Sequence, residues 1–342
     1  MIRVAHLLIN LNHGGAEQLV VRWVRARLAE SPDSTSVITL DEPGRLARQL
    51  PESAHHCLHA RRERKPWDRT AVSLLRRFLR ESKIDVLHSH NLAAHQYGVL
   101  ATLGTPVAHV QTQHGANTHV HGRIDRWRSR RLARLTDRVV AVSEGTATTM
   151  QRVQSIPRRA IEVIPNGVAA YEAATPEGSQ AMCDPSLPPN AVVFGSVGRL
   201  TTVKGWDRFL PCFADFFNAL DDGEKSSRPP VLLLVGDGDA AAPLKQQVDA
   251  LGLGDCVYFA GFQDAPRPWL ERIDSFLLPS RSEGLSVALL EALEAGCYAM
   301  VTDVGDCGTV VRAAGHGEIL PGDTRVWSAR LRRIYASPPQ RR

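Results

Sequence analysis

The sequence predicts an α/β protein of two doubly wound domains facing each other across a cleft. Three observations predict it. Apolar, strand-like runs alternate with helical stretches along both halves of the chain, the order that builds parallel sheets from βαβ units. Strand ends run into polar or glycine-containing turns that open helices, at Asn12-His13-Gly14-Gly15-Ala16-Glu17, at Gly198-Arg199-Leu200 with Lys204-Gly205, at Gly236-Asp237-Gly238-Asp239 and at Arg281-Ser282-Glu283-Gly284-Leu285-Ser286. And 342 residues suffice for two cores. The boundaries that follow are a first domain over 1–170, a Pro/Ser/Ala/Gly-rich linker over 171–190, a second domain over 191–322, and a C-terminal helix and tail over 323–342.

Each element has its own justification. Val4–Leu11 is a short apolar run with no cleavage site after it, so it reads as a first strand and not as a signal peptide. A helix follows over Glu17–Glu30, then a strand over Ser36–Leu40. Arg61–Lys65 is a basic loop. Arg69–Ser82 carries Val72, Leu75 and Leu79 on one side, the stripe of an amphipathic helix. Ile84–Asn91 is a strand running into a polar end, with His88 and His90 on one face. Val107–Gln111 is a strand that ends at Gln113-His114-Gly115-Ala116-Asn117. Gly122–Leu135 is a basic helix, Arg138–Glu144 a strand, Gly145–Val153 a helix, and Ile161–Val168 a strand closing in a Pro-Asn-Gly turn. The second half repeats this grammar. Strands fall at Ala191–Val197, Val231–Val235, Val257–Phe262, Phe276–Pro279 and Tyr298–Thr302. Helices fall at Trp206–Leu220, Pro243–Leu251, Trp269–Ile273 and Val326–Tyr335, with a polar loop over Asp221–Pro230.

Composition narrows the function. No run of 18 apolar residues exists, so no spanning helix is expected. Six cysteines (Cys57, Cys183, Cys212, Cys256, Cys297, Cys307) stand without a CxxC pair, which suits free thiols in a reducing cytoplasm. The net charge of +5 is unevenly placed, since Gly122–Arg138 alone holds seven arginines. Arg126, Arg130 and Arg134 stack at helical spacing beside Trp127. The Arg123–Arg134 helix is therefore either a solvated face or a surface for an anionic membrane, which would place the protein peripherally on the membrane's inner face. No nucleic-acid partner is expected.

Several residues carry candidate chemistry. Gly14 and Gly15, between a strand and a helix, either make a tight turn or let a ligand approach the backbone. His88 and His90 form an HxH pair that either binds metal or lines a polar wall, and no third ligand has suitable nearby spacing. His114 closes a strand at its C-terminal end, where α/β folds place ligands, although a buried structural histidine fits the pattern too. Arg199 and Lys204 are two cations at a strand-to-helix connection, matched to a diphosphate. Gly284, Leu285 and Ser286 add backbone N–H groups at a helix start. Asp237-Gly238-Asp239 is either a metal-binding DxD or a turn. If the whole span were helical, Glu291 would lie about 12 Å from Glu283. That is too far to share a proton, so the two carboxylates fit better as grips on different parts of one extended ligand.

Taken together and in this order, these pieces resemble the retaining GT-B glycosyltransferases of the family-4 type. The resemblance spans Ile2 to about Tyr335. It rests on His13–Glu17, His88–Asn91, Val142-Ser143, Ile164–Val168, Val197–Leu200 with Lys204-Gly205, Val235–Gly238, and the E-x7-E spacing of Glu283 and Glu291. It implies transfer of a sugar from a nucleoside-diphosphate sugar, UDP-linked, to a glycan, lipid-linked or small-molecule acceptor in bacterial cell-surface polysaccharide or glycoconjugate synthesis. It implies His114, Glu283, Arg199 and Lys204 as catalytic residues. The donor would be held by Gly15, Arg199, Lys204, Gly236, Phe262, Glu283, Gly284, Leu285, Ser286 and Glu291, and the acceptor by Gly14, His90, Asn91 and Asn117. No cofactor and no metal are implied. A sugar-nucleotide 2-epimerase of the same architecture and a non-catalytic scaffold are the competing readings. One departure is that about fifty residues follow Glu291, with Val326–Tyr335 the one clear helix for the crossing element that relatives carry there.

Overall fold

The structure, a computed structural model, describes residues 1–12, 14–60, 68–115, 122–168, 187–188 and 190–341. His13, the Arg61–Lys65 loop, Asn117, Cys183 and most of the 171–190 linker lie outside the described residues. The chain divides into two compact units, Met1–Asn166 and Gly167–Arg342.

In the first unit, seven strands form one sheet: β1 Val4–Leu8, β2 Thr35–Thr39, β3 His55–Cys57, β4 Val86–His90, β5 Ala108–Gln113, β6 Arg138–Ala141 and β7 Ile161–Val163. Their order is β3-β2-β1-β4-β5-β6-β7, every neighbour parallel. In the second unit, six strands do the same: β8 Val192–Val197, β9 Pro230–Val235, β10 Val257–Gly261, β11 Ser275–Leu278, β12 Tyr298–Thr302 and β13 Gly317–Leu320, in the order β10-β9-β8-β11-β12-β13. Each sheet therefore reverses its winding once, between β1 and β4 and between β8 and β11, which is where doubly wound folds leave room for a ligand at the strands' C-terminal ends.

The apolar runs become strands because both faces of a parallel sheet are covered. In β9, Leu232 and Leu234 pack into one core while Val231, Leu233 and Val235 pack into the other. The first of these cores is aromatic, with Phe194, Phe209, Phe213 and Phe216 in mutual edge and tilted contacts.

Several elements differ from the sequence reading. The strand read over Ile84–Asn91 ends at His90, and Asn91–Thr102 is a helix that the sequence reading did not assign. The Asp221–Pro230 stretch contains a helix, Asp222–Ser227, started by a capping box in which the Asp221 side chain accepts from the Glu224 N–H and the Glu224 side chain from the Asp221 N–H. The helix Cys307–Ala314 and strand β13 add a further βα unit after Thr302. The helix Trp327–Ala336 is part of the second unit's own core, with Trp327 fully buried against Phe209 and Tyr335 against Phe216. The Tyr335 hydroxyl donates to the carbonyls of Glu224 and Arg228, so the helix is anchored by polar as well as apolar contacts.

Trp327→Ala should destabilise the chain by about 3–5 kcal/mol, the range for emptying a buried aromatic site. Urea unfolding followed by circular dichroism measures it, and a loss under about 1 kcal/mol would contradict the core role of this helix.

Candidate functional site

In the second unit, the candidate residues converge where the strand order reverses. Gly198 and Arg199 leave the end of β8, and Pro279–Ser286 leaves the end of β11, its direct neighbour. The two loops are stitched together. The Arg281 N–H donates to the Val203 carbonyl at 2.8 Å, and the Arg281 guanidinium reaches the Thr202 carbonyl and both Asp207 carboxylate oxygens. Arg208 donates to the carbonyls of Pro279 and Ser280. Gly205 adopts φ +75°, and a Cβ there would collide with the Pro279 carbonyl oxygen. Glycine is required at that position because the two loop backbones touch.

This stitching brings Lys204 to Glu283. The ammonium lies 2.7 Å from Glu283 Oε1, and the side chains are only 20% and 11% exposed. The Ser280 hydroxyl donates to the same oxygen at 2.5 Å. Lys204 has three N–H donors and the carboxylate two oxygens, so each keeps bonding capacity for a ligand while the pair neutralises itself. Arg199 is exposed at the neighbouring strand end.

Glu283, Gly284, Leu285 and Ser286 form a turn and not a helix. The helix begins at Val287, with the Ser286 hydroxyl accepting from the Leu289 N–H as its N-cap. The helical 12 Å separation of Glu283 from Glu291 therefore does not apply. Glu291 is buried on the second turn of this helix. Gly284 is fixed by the Asp306 N–H donating to its carbonyl. Across β8, Gly236 sits so close to the Gly198 carbonyl that a Cβ would overlap it. Asp237 is exposed, and its side chain accepts from the Gly238 N–H, as in a turn. Phe262 follows β10, half-buried.

In the first unit, Gly14 and Gly15 open the helix Gly15–Glu30 after β1. Gly14 has φ −169°, an extended conformation open to any residue, and Gly15 is helical. Neither backbone conformation demands glycine. Across the reversal, β4 ends at His90 and Asn91. The Asn91 side-chain oxygen accepts from the His114 N–H at 3.1 Å and from the Gln113 amide. His90 is buried, and both its ring nitrogens are occupied, one by His6 and one by His114. Both ring nitrogens of the side chain read as an acceptor contact are therefore already engaged within the first unit.

His6 is the residue that sequence reasoning missed. The parallel register sets it beside His88, and one ring nitrogen from each of His6, His88 and His90 falls within 4.8 Å of the others. This gives the HxH pair the third neighbour that spacing did not supply. One signal was available in the sequence: twelve of thirteen histidines precede Gly167. Burial keeps the clustered histidines His6, His88, His90 and His114 neutral. Burial, then the neighbouring charge of His88, pushes His6 and His114 down to about 3. Burial pushes His88 down to about 4, and holds His90 well below the ordinary histidine range with help from His88, His114 and His6. His95 and His109 are lowered in the same way, to about 3 and about 4.

The comparisons with known proteins agree with this geometry. The doubly wound pair of units is the GT-B architecture. Residues 13–170 match the family described as Glycosyltransferase Family 4, and residues 184–342 that described as Glycosyl transferases group 1. The chain belongs to the GT-B glycosyltransferases of the family-4 type. It is 31% identical over 174 residues to the 2-deoxystreptamine N-acetyl-D-glucosaminyltransferase of Streptomyces fradiae, a match that covers 49% of this chain and only 38% of that relative's length. It is 25% identical over 322 residues, 91% of this chain and 82% of the relative, to the N-acetyl-alpha-D-glucosaminyl L-malate synthase of Bacillus anthracis. Among solved structures, Anabaena Alr3699/HepE in complex with UDP and glucose superposes with a TM-score of 0.76 over 98% of this chain and 90% of that chain, at 18% identity.

The buried neutral histidines make a pH prediction. An unfolded chain protonates them near pH 6.5, whereas the folded first unit resists protonation down to about pH 3–4. In that window the unfolded state holds more protons, so stability rises with pH and is lost as pH falls below about 6.5. Hydrogen-exchange protection in β1, β4 and β5, corrected for intrinsic rates, should drop between pH 7.5 and 5 by more than in β8 and β9. Equal change in both sheets would refute this.

Proposed function

We propose that the protein is a retaining glycosyltransferase that moves a sugar from a UDP-linked donor to a glycan, lipid-linked or small-molecule acceptor in bacterial glycoconjugate synthesis. The observation that carries this reading is the Lys204–Glu283 pair held on the loops that follow β8 and β11, where the winding reverses. Lys204 and Arg199 face the leaving diphosphate, Gly284, Leu285 and Ser286 add main-chain contacts, and Glu283 grips the sugar. Glu291 takes the ribose, with Gly236 and Phe262 beside the nucleotide. Gly14 and Gly15 admit the ligand to the first unit's backbone, and His114 acts at the reaction centre. The relatives act on N-acetylglucosaminyl groups by name, and the HepE neighbour is described with UDP and glucose, which supports a UDP-linked donor.

Retention follows without a protein nucleophile. The acceptor oxygen bonds to the anomeric carbon on the face from which the diphosphate departs. The bond from that carbon to the phosphate oxygen breaks, and the acceptor's hydroxyl proton passes to the leaving phosphate. Lys204 and Arg199 hold the charge that develops there, the type of preorganised contact whose removal costs about 10²–10³ in rate. This scheme assigns no step to a metal.

The Gly122–Arg134 helix points to where the acceptor resides. Ser129 and Ala133 are buried, while Arg123, Arg126, Arg130, Arg131 and Arg134 are exposed beside Ile124, Trp127 and Leu135. Arg131 lies 5.1 Å over the Trp127 ring. Cations interleaved with exposed apolar side chains suit an anionic lipid surface. No described helix is long and apolar enough to cross a membrane, and the attachment proposed is through this helix face.

Incubation with a panel of nucleotide sugars, with nucleoside-diphosphate release as readout, tests the activity, and silence with every donor would overturn it. Lys204→Ala should weaken UDP binding by roughly 10–100-fold, as expected for a charged hydrogen bond. Because Lys204 also neutralises Glu283, the Lys204→Ala and Glu283→Gln losses should be non-additive by about 0.5–3 kcal/mol in a double-mutant cycle measured by calorimetry. Additive losses would separate the two residues.

Binding to phosphatidylglycerol vesicles should fall at least about 100-fold when Arg126, Arg130 and Arg134 are all changed to Glu, at about 1 kcal/mol per charge. It should also weaken with salt. Unchanged, salt-insensitive sedimentation would remove the membrane from the proposal.

A further inference from the structure

His6, His90 and His114 come from three adjacent strands or strand ends, and they touch in sequence. His6 Nδ1 lies 3.1 Å from His90 Nε2, and His90 Nδ1 lies 2.9 Å from His114 Nε2. The ring centres are 5.3 Å and 5.1 Å apart, in each case farther apart than the nitrogens by about one ring's width. The nitrogens thus point straight at each other, with interplanar angles of 19° and 33°. This is the in-line geometry of a hydrogen bond. It is not that of a metal trio, whose lone pairs would converge on a common point.

Three neutral imidazoles carry three N–H protons, and the two contacts take two of them. Only two arrangements fill both contacts. In one, all three rings carry the proton on Nε2, and His114 Nδ1 is a bare acceptor. In the other, all three carry it on Nδ1, and His114 Nδ1 is a donor. That atom is buried and has no partner among the described residues. An unmet buried polar atom costs about 1–3 kcal/mol, which a ligand hydroxyl would relieve. His114 Nε2 is engaged by His90, so Nδ1 is the ring nitrogen left for a ligand.

We infer that His6, His90 and His114 are one hydrogen-bonded unit in which the proton on His6 sets the tautomer of His114, and with it whether His114 Nδ1 donates to or accepts from the substrate. His6 and His90 are positioning residues, since neither is placed in contact with substrate. The kinetic consequence rests on the transferase reading of His114; the tautomer coupling does not.

Long-range proton–nitrogen correlation spectra of the full ¹⁵N-labelled chain at pH 7.5 test the coupling. His6, His90 and His114 should share one tautomer, and opposite tautomers at His6 and His114 would overturn it. His6→Leu should release His114 into a mixture of tautomers, and His6→Asn, whose amide reaches the position of Nδ1, should restore a single one. An unchanged single tautomer in His6→Leu would also overturn it. If His6→Leu does not fold, the spectrum of the unaltered protein decides alone. With a donor sugar found, His6→Leu should lower kcat on the order of tenfold while leaving UDP affinity unchanged, and His6→Asn should recover it. A structural loss would move both constants in both variants.

Discussion

The molecule depends on one constraint: every strand in both sheets runs parallel to its neighbours. Parallel pairing obliges each connection to cross a face, so all C-terminal strand ends gather on one edge of each sheet. Where the winding reverses, successive connections leave to opposite faces and the edge between them stays open. Loops that begin at β8 and β11 meet there although their residues lie some eighty positions apart in the chain. The same reversal sets β1 beside β4, which is how a histidine near the start of the chain reaches one at position 90.

The meeting at β8 and β11 determines the electrostatics of the candidate donor site. A lysine and a glutamate this poorly exposed would each be costly alone. Paired at 2.7 Å, with the Ser280 hydroxyl on the same oxygen, they hold each other in place before any ligand arrives. The Ser280 carbonyl is itself bonded by the Thr302 hydroxyl at 2.7 Å, so the loop that carries Glu283 is tied to β12 as well. A ligand entering here meets side chains already ordered, and the entropy of ordering them is not charged to binding.

Much of this was legible in the sequence and some was not, for identifiable reasons. Alternation of strand, glycine turn and helix is local, and it located β1, β4, β8, β9, β11 and most helices. The helix Asn91–Thr102 escaped because Ala94, His95, Tyr97, Gly98, Val99 and Ala101 are all buried, which leaves no polar stripe to reveal the period. Asp222–Ser227 escaped for the opposite reason, having no buried residue. At the site, the types and order of Lys204, Glu283 and Glu291 were readable. Their pairing was not, because the contact between Lys204 and Glu283 is set by strand order and not by sequence spacing. His6 was hidden in the same way: alone in an apolar run it looks like any core residue, and only the register of β1 against β4 gives it partners.

The helix Trp327–Ala336 has a consequence for how the protein is made. The aromatic core around Phe209, Phe213 and Phe216 is assembled largely from residues before 300, yet Trp327, Leu331, Ile334 and Tyr335 complete it. While the chain is being synthesised, that core waits with apolar surface uncovered until the helix emerges from the ribosome. The described strands of the first unit end at Val163, and N-terminal domains generally fold first during synthesis. Synthesis from the N-terminus therefore delivers the described strands of the first unit before the residues that complete the second unit's aromatic core.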